Sequence, residues 1–287
     1  MRTAGRTSKM IPSGKLQVVA SFYPLYFFSR EIGGDKADVT NIVPSGAEPH
    51  DYEPTAQDMA KMESCKLVIL NGGGLEAWSD SVRKNIDAKS TTIVVAGEGL
   101  TTQQVREGGQ TETDPHVWLA PRLAQKMVER IAQAFEQADF ANKDYYQSNA
   151  DSLRTKLGDL DAEYRQGLST CKSRNIITSH AAFGYLATAY GLNQVSIAGL
   201  SPDAEPSPGQ LADIAKFARD NHVNYIFFES LASPKLSQTI AAEVGAKTLV
   251  LNPIEGVSEE EMSQGKTYFS IMQDNLTNLR TALQCNK

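Results

Sequence analysis

From Lys143 to Ser169 the chain contains no proline, and its only glycines are Gly158 and Gly167. Tyr146, Leu153, Leu157, Leu160, Tyr164 and Leu168 fall at helical steps along this stretch. That spacing puts them on one stripe of a single amphipathic helix. At 1.5 Å per residue such a helix is about 40 Å long, more than the width of a small domain. A rod of this length constrains everything around it, because the chain on either side must form its own unit.

Both sides show the same alternation. Before the rod, "KLQVVASFYPL" reads as a strand ended by Pro24, and "PLYFFSREIGG" as a helix closed by Gly33 and Gly34. "KADVTNIVPSG" is a second strand. "PTAQDMAKMES" is a helix that Thr55 can cap, with Asp58 three residues later. "CKLVILNGGGLEAW" and "TTIVVAGEG" are further apolar strands, the first running into a glycine turn. After the rod, "RNIITSH", "NQVSIAG", "NYIFFES" and "KTLVLNP" are strands. Between them lie the helices "AAFGYLATAYG", "SPGQLADIAKFARDNH" and "SPKLSQTIAAEVG", and "EEEMSQGKTYFSIMQDNLTNLRTALQ" is the final helical region. Continuous Val, Ile and Leu runs separated by helices indicate parallel sheets covered on both faces. A chain of 287 residues is also too long for one ordinary core. The expected fold is α/β, with two Rossmann-like lobes (residues 15–140 and 171–287) whose parallel sheets are joined by one long rigid helix at 141–170.

Composition closes off some classes. The formal net charge is −6 with no basic patch, so nucleic acid is not an expected partner. No run of 18 apolar residues offers a transmembrane helix. The first residues, "MRTAGRTSKMIPSGK", are basic and polar without an apolar centre. They read as a cloning remnant or a trimmed leader, which leaves a removed export signal open. The three cysteines contain no CxxC. Cys65 reads as a small core residue. Cys171 and Cys285 flank the second half. A disulfide between them would tie the last helix to the start of that half and favour an oxidising compartment; the alternative is two free thiols.

In open α/β sheets, ligands bind beyond the carboxyl ends of the strands. Three of the four histidines fall there: His50 in "VPSGAEPHDYEP", His116 in "DPHVW" and His180 directly after "NIITS". Glu255, in "LNPIEGV", follows the last strand. Each has a plainer reading. A loop histidine is commonly solvated or capping, Asp114-Pro115 could start a helix, and Glu255 could be one more acid near a helix start. His222 lies on a turn at the opposite end and is assigned no role. Three imidazoles and one carboxylate suit Zn²⁺, which takes four ligands tetrahedrally, whereas Mg²⁺ and Ca²⁺ want oxygen shells.

"SFYPLYFF", "EPHDYEPTAQD", "NGGGLEAW", "DPHVWLAP", "TSHAAFGYLATAYGL", "EPSPGQL" and "LNPIEGVSEEE" resemble the metal-binding solute-binding proteins of zinc/manganese ABC transporters, the cluster A-I or cluster 9 family. The resemblance runs from about Lys15 to the C-terminus. It implies two α/β lobes on a single helix with a metal between them. It also implies His50, His116 and His180 as the first three ligands. Manganese-type members carry Glu in the third place, so His180 points to the zinc-uptake type. "LNPIE" resembles the subgroup in which Glu255 is the fourth ligand, with Asn252 close by in sequence. Zinc-uptake members often carry a His-rich loop before the second ligand, but "GEGLTTQQVREGGQTET" has no histidine, so no harvesting loop is expected.

The expected function is capture of Zn²⁺ by an exported, monomeric periplasmic or surface protein that delivers it to an ABC permease. It is not an enzyme, since four protein ligands leave no open position for an activated water. Glu229, at the end of "IFFES", reads either as a carboxylate orienting a histidine or as a helix cap. The alternatives are a manganese- or iron-binding member of the same family, an adhesin on the same fold, and a zinc hydrolase, for which no HExxH or HxH spacing is present.

Overall fold

The computed structural model describes residues 14–107 and 110–286. The segment read as a leader lies outside them up to residue 13. The first half contains β1 (Leu16–Ala20), α1 (Tyr23–Gly33), β2 (Ala37–Asn41), α2 (Ala56–Ser64), β3 (Leu67–Leu70), α3 (Ser79–Asn85), β4 (Thr92–Val95), the hairpin β5 (Gln104–Glu107) and β6 (Gln110–Thr113), and α4 (Pro121–Ala138). Helix α5 (Lys143–Gly167) follows. The second half contains β7 (Asn175–Thr178), α6 (Gly184–Tyr190), β8 (Asn193–Ser196), α7 (Pro208–Asp220), β9 (Tyr225–Phe228), α8 (Lys235–Val244), β10 (Lys247–Val250), α9 (Glu259–Ser263) and α10 (Tyr268–Ala282).

Each half builds one four-stranded parallel sheet, ordered β2-β1-β3-β4 and β10-β9-β7-β8. Counted from its own first strand, each has the same order: second, first, third, fourth. Every sheet therefore has its topological switch between first and third strands, where α/β proteins open a crevice.

Side chains alternate across the strands. Val18, Leu67, Ile69, Ile176 and Phe227 enter one large apolar core that runs through both halves. Val19, Val68 and Leu70 point to the far face of the first sheet, under Met62, Trp78 and Val82. Ile177 and Ile226 do the same in the second, under Ile214 and Ile240. Helix α5 packs against α1, α4 and α10, so it touches both halves along its length. Its buried residues include Tyr146, Leu153, Leu157, Leu160 and Tyr164, the stripe expected from spacing. Its buried Asp161 accepts from Arg122 (2.7 Å) on α4, Arg165 (3.0 Å) on α5 and Tyr190 (3.2 Å) on α6.

Thr55 and Asp58 form a reciprocal capping box at α2. No strand was expected within "GEGLTTQQVREGGQTET", where the chain forms the antiparallel hairpin β5–β6. The final helical region is also two helices, broken at Gly265, which adopts φ +72°. A disulfide joins Cys171 to Cys285, which also pair as a β-bridge, fastening the chain after α10 to the chain after α5. Cys65 is a buried free thiol, pushed up to about 11 by burial. Among the described residues no helix is long and apolar enough to cross a membrane.

Candidate metal centre

The loop after β2 carries His50 between Pro49 and the capped start of α2. His116 sits at the entry of a 3-10 turn, Val117–Leu119, that leads into α4. His180 lies two residues beyond β7, and Glu255 follows β10. The fold brings these four side chains to one point, three of them fully buried and His50 11 % exposed. His50 Nε2 lies 3.3 Å from His116 Nε2 and 3.4 Å from Glu255 Oε1. His180 Nε2 lies 3.3 Å from His116 Nε2 and 3.2 Å from Glu255 Oε1. His116 Nε2 to Glu255 Oε1 is 2.9 Å.

A regular tetrahedron around Zn²⁺ with bonds near 2.05 Å has edges of about 3.3 Å. The five separations fit that figure, and the donor set of three nitrogens and one oxygen is one zinc accepts. Mg²⁺ would ask for six oxygens at octahedral angles, which this cluster does not offer. His222 is elsewhere, on the turn between α7 and β9 with φ +51°.

Two further carboxylates fix the imidazoles. His116 Nδ1–H donates to Asp114 Oδ1 at 2.8 Å, and His180 Nδ1–H donates to Glu229 Oε1 at 2.6 Å. Each bond sets the tautomer and leaves the Nε2 lone pair free to meet a cation. Glu229 also accepts from Ser179 Oγ. Of the two sequence readings for Glu229, the histidine partner is the one observed. Asp114, for which a helix start was the plainer alternative, orients His116, accepting from both the ring and the backbone N–H of that residue. Its Oδ2 is buried without a partner among the described residues. Gly184 makes this approach possible, since a Cβ there would stand 2.7 Å from Asp114 Oδ2.

Below Pro115 lies the turn Gly72–Gly74, all three glycines at positive φ. Asn71 Nδ2 donates to the Pro115 carbonyl at 2.9 Å. The turn is held by Glu76, buried, whose Oε1 accepts from Ser21 Oγ (2.6 Å) and Asn71 N (2.7 Å) and whose Oε2 accepts from Gly72 N (2.9 Å). Burial raises the Glu76 pKa in spite of these bonds. Asn252, close to Glu255 in sequence, is committed elsewhere. Its amide donates to Ser230 Oγ and Glu261 Oε1, and its oxygen accepts from Ile254 N.

Charge in the cluster is strongly interdependent. Burial favours neutral His180, but the Glu229 and Glu255 carboxylates outweigh it and hold its pKa well above the ordinary histidine value. His116 is raised in the same way, with Asp114 and Glu255 overcoming burial. Burial would raise Glu255; the histidines, led by His180, hold it well below the ordinary carboxylate value. At the rim, Glu48 accepts from His50 N–H (3.3 Å) and is pushed up to about 8, first by burial and then by Glu255. A cleft of about 370 Å³, bordered by His50, Gly73, Gly74, Glu112 and Leu200, leads from His50 to solvent.

Known proteins share this arrangement of chain. The family described as ZnuA, zinc-uptake complex component A, periplasmic, matches residues 18–282. The high-affinity zinc uptake system protein ZnuA of Bacillus subtilis (strain 168) is 42% identical over 283 residues, covering 94% of this chain and 88% of that protein. The zinc-binding lipoprotein AdcA of Streptococcus pneumoniae (strain ATCC BAA-255 / R6) is 40% identical over 279 residues, 93% of this chain. The match covers 56% of AdcA, so the chain spans little more than half of that protein. The crystal structure of the Zn(II)-bound ZnuA-like domain of Streptococcus pneumoniae AdcA superposes with a TM-score of 0.81 at 40% identity, over 94% of this chain and 99% of that one. With a family match across almost its whole length, the chain belongs to the ZnuA family of periplasmic zinc-uptake components.

Proposed function

We propose that this protein binds Zn²⁺ through His50, His116, His180 and Glu255 and delivers it to a membrane permease of the ABC type. The observation that carries the reading is the set of five donor separations between 2.9 and 3.4 Å, with both buried imidazoles held in the metal-ready tautomer by Asp114 and Glu229. Four protein ligands fill a tetrahedral shell, so the bound cation is cargo and not a catalyst, and the protein is not an enzyme. Residues 15–140 and 171–287 act as two metal-binding lobes on the helix at 141–170. The shared apolar core favours little movement between them. The protein works as an exported monomer, periplasmic or anchored outside the membrane, and the Cys171–Cys285 disulfide fits an oxidising compartment.

The test is metal analysis of protein purified without added metal, followed by competition titration of Zn²⁺ against Mn²⁺ and Fe²⁺. One equivalent of zinc, held in preference to both, is expected. Preference for manganese or iron would replace the cargo, and absence of stoichiometric metal binding would end the reading.

A further inference from the structure

His116 and Glu255 come from opposite halves of the chain, yet theirs is the tightest pair in the cluster. Beside it the halves are joined a second time. Trp118, two residues beyond His116, donates its indole Nε1–H to the carbonyl of Pro253, two residues before Glu255, at 2.8 Å. Tyr268, the first residue of α10, donates its hydroxyl to the carbonyl of Trp118 at 2.6 Å. Trp118, Tyr268 and Ile254 are all fully buried.

Between Pro253 and Glu255 the backbone is strained. Ile254 has φ +61°, in the left-handed region that a β-branched residue enters only when its surroundings force it. The forcing groups are visible. Ile254 N donates to Asn252 Oδ1 (2.7 Å), and Asn275 on α10 brackets Asn252, accepting from its N–H (2.8 Å) and donating to its carbonyl (2.7 Å). The Trp118 indole fixes the remaining side of the turn.

We infer that Trp118 and Tyr268 are positioning residues for the fourth ligand: the Tyr268–Trp118–Pro253 chain of hydrogen bonds holds the strained turn at Ile254 in the shape that aims Glu255 at the imidazoles. The same chain ties the segment bearing His116 to the segment bearing Glu255, so two ligands from distant parts of the sequence move as one. This rests on the four-ligand reading given above. A role in packing alone is the competing account, since Trp118 also lies edge-on to Phe22 at 4.7 Å. Packing would cost stability without altering the geometry around the metal.

The experiment uses Trp118→Phe and Tyr268→Phe, which keep a ring and remove one donor each. Zn²⁺ affinity, measured against a chromophoric chelator, should fall about 10- to 100-fold, the usual effect of losing a group that orients a ligand. The visible absorption of the Co²⁺-loaded protein should weaken and shift as the tetrahedral shell loosens. Adding Ile254→Gly to Trp118→Phe should recover part of the affinity, because glycine accepts a positive φ without strain. Zinc affinity within about twofold of the parent, with an unchanged Co²⁺ spectrum, overturns the inference. So does an affinity loss that Ile254→Gly leaves untouched and that tracks a fall in the melting temperature of the metal-free protein. Glu255→Ala separates the two claims. If it binds zinc like the parent, the ligand reading fails; if it loses zinc while Trp118→Phe does not, only the positioning role fails.

Discussion

Glu76 and Glu229 occupy matching places in the two sheets: each is a buried carboxylate beyond the third strand of its half, and each accepts a hydrogen bond from the serine that directly follows the first strand, Ser21 and Ser179 respectively. In the first half the carboxylate gathers backbone N–H groups of the glycine turn under Pro115. In the second it gathers the ring of His180. One position of a repeated topology thus supports a loop on one side and a candidate ligand on the other.

Removing that support from His180 should be costly without touching any candidate ligand atom. Glu229→Ala is expected to lower zinc affinity about 10- to 100-fold, with Glu229→Gln in between because it keeps an acceptor and loses the charge. Competition titration against a chelator of known affinity measures both. Parental affinity in Glu229→Ala would show that the bond to Nδ1 contributes nothing to binding.

Zinc should stabilise the fold through mass action. At a free concentration about 1,000 times the dissociation constant the gain is about 4 kcal/mol, visible as a rise in melting temperature that a chelator reverses. His116→Ala should abolish most of that rise while leaving a cooperative melt. A full zinc-dependent shift in His116→Ala would remove this residue from the ligand set.

Above about pH 6.5, acidity should act on the metal-free and metal-bound forms in opposite directions. His180 and His116 titrate above the ordinary value. Zn²⁺ needs neutral imidazoles, so proton and cation compete, and affinity should climb as pH rises through those raised values. In chelator, the stabilising contribution of charged His180 beside Glu229 and Glu255 is complete below about pH 6.5 and disappears as pH rises through the raised value. Glu255 adds a second edge: its depressed value gives stability that is present above about pH 4.3 and lost in acid. Melting curves with and without zinc across this range test both slopes, and parallel curves would contradict them.

The disulfide spans 114 residues of sequence. Closing a loop of that size restricts the unfolded chain, and Cys285→Ser should cost about 2–4 kcal/mol in chemical denaturation. Zinc affinity should stay close to the parent, since the cross-link lies at the far end of α5 and α10. A large loss of affinity would mean that the C-terminal tie reaches the metal centre.

Much of this architecture was legible because its signals are local. The apolar runs at Leu67–Leu70 and Tyr225–Phe228 are bounded by turn residues, Thr55 and Asp58 mark a helix start, and the stripe along α5 is periodic. The β5–β6 hairpin was missed because its strands, "QVRE" and "QTET", are almost wholly polar, so the sequence carries no apolar alternation to mark them. Helix α6 begins at Gly184, later than its apolar run suggests, because Ala181 and Ala182 are still part of the turn that presents His180. The convergence of His50, His116, His180 and Glu255 was readable from strand ends together with family resemblance. The roles of Asp114 and Trp118 were not, because each depends on a partner placed by the fold: His116 Nδ1 for one and the Pro253 carbonyl for the other.

The first and last candidate donors, His50 and Glu255, stand 205 residues apart. What holds such distant points together is the apolar core that runs through both halves, and none of the four donors belongs to it. Zinc therefore arrives at a finished receptacle. Unlike a zinc finger, whose order depends on its ion, this chain can surrender its cargo and keep its shape, ready for the next ion.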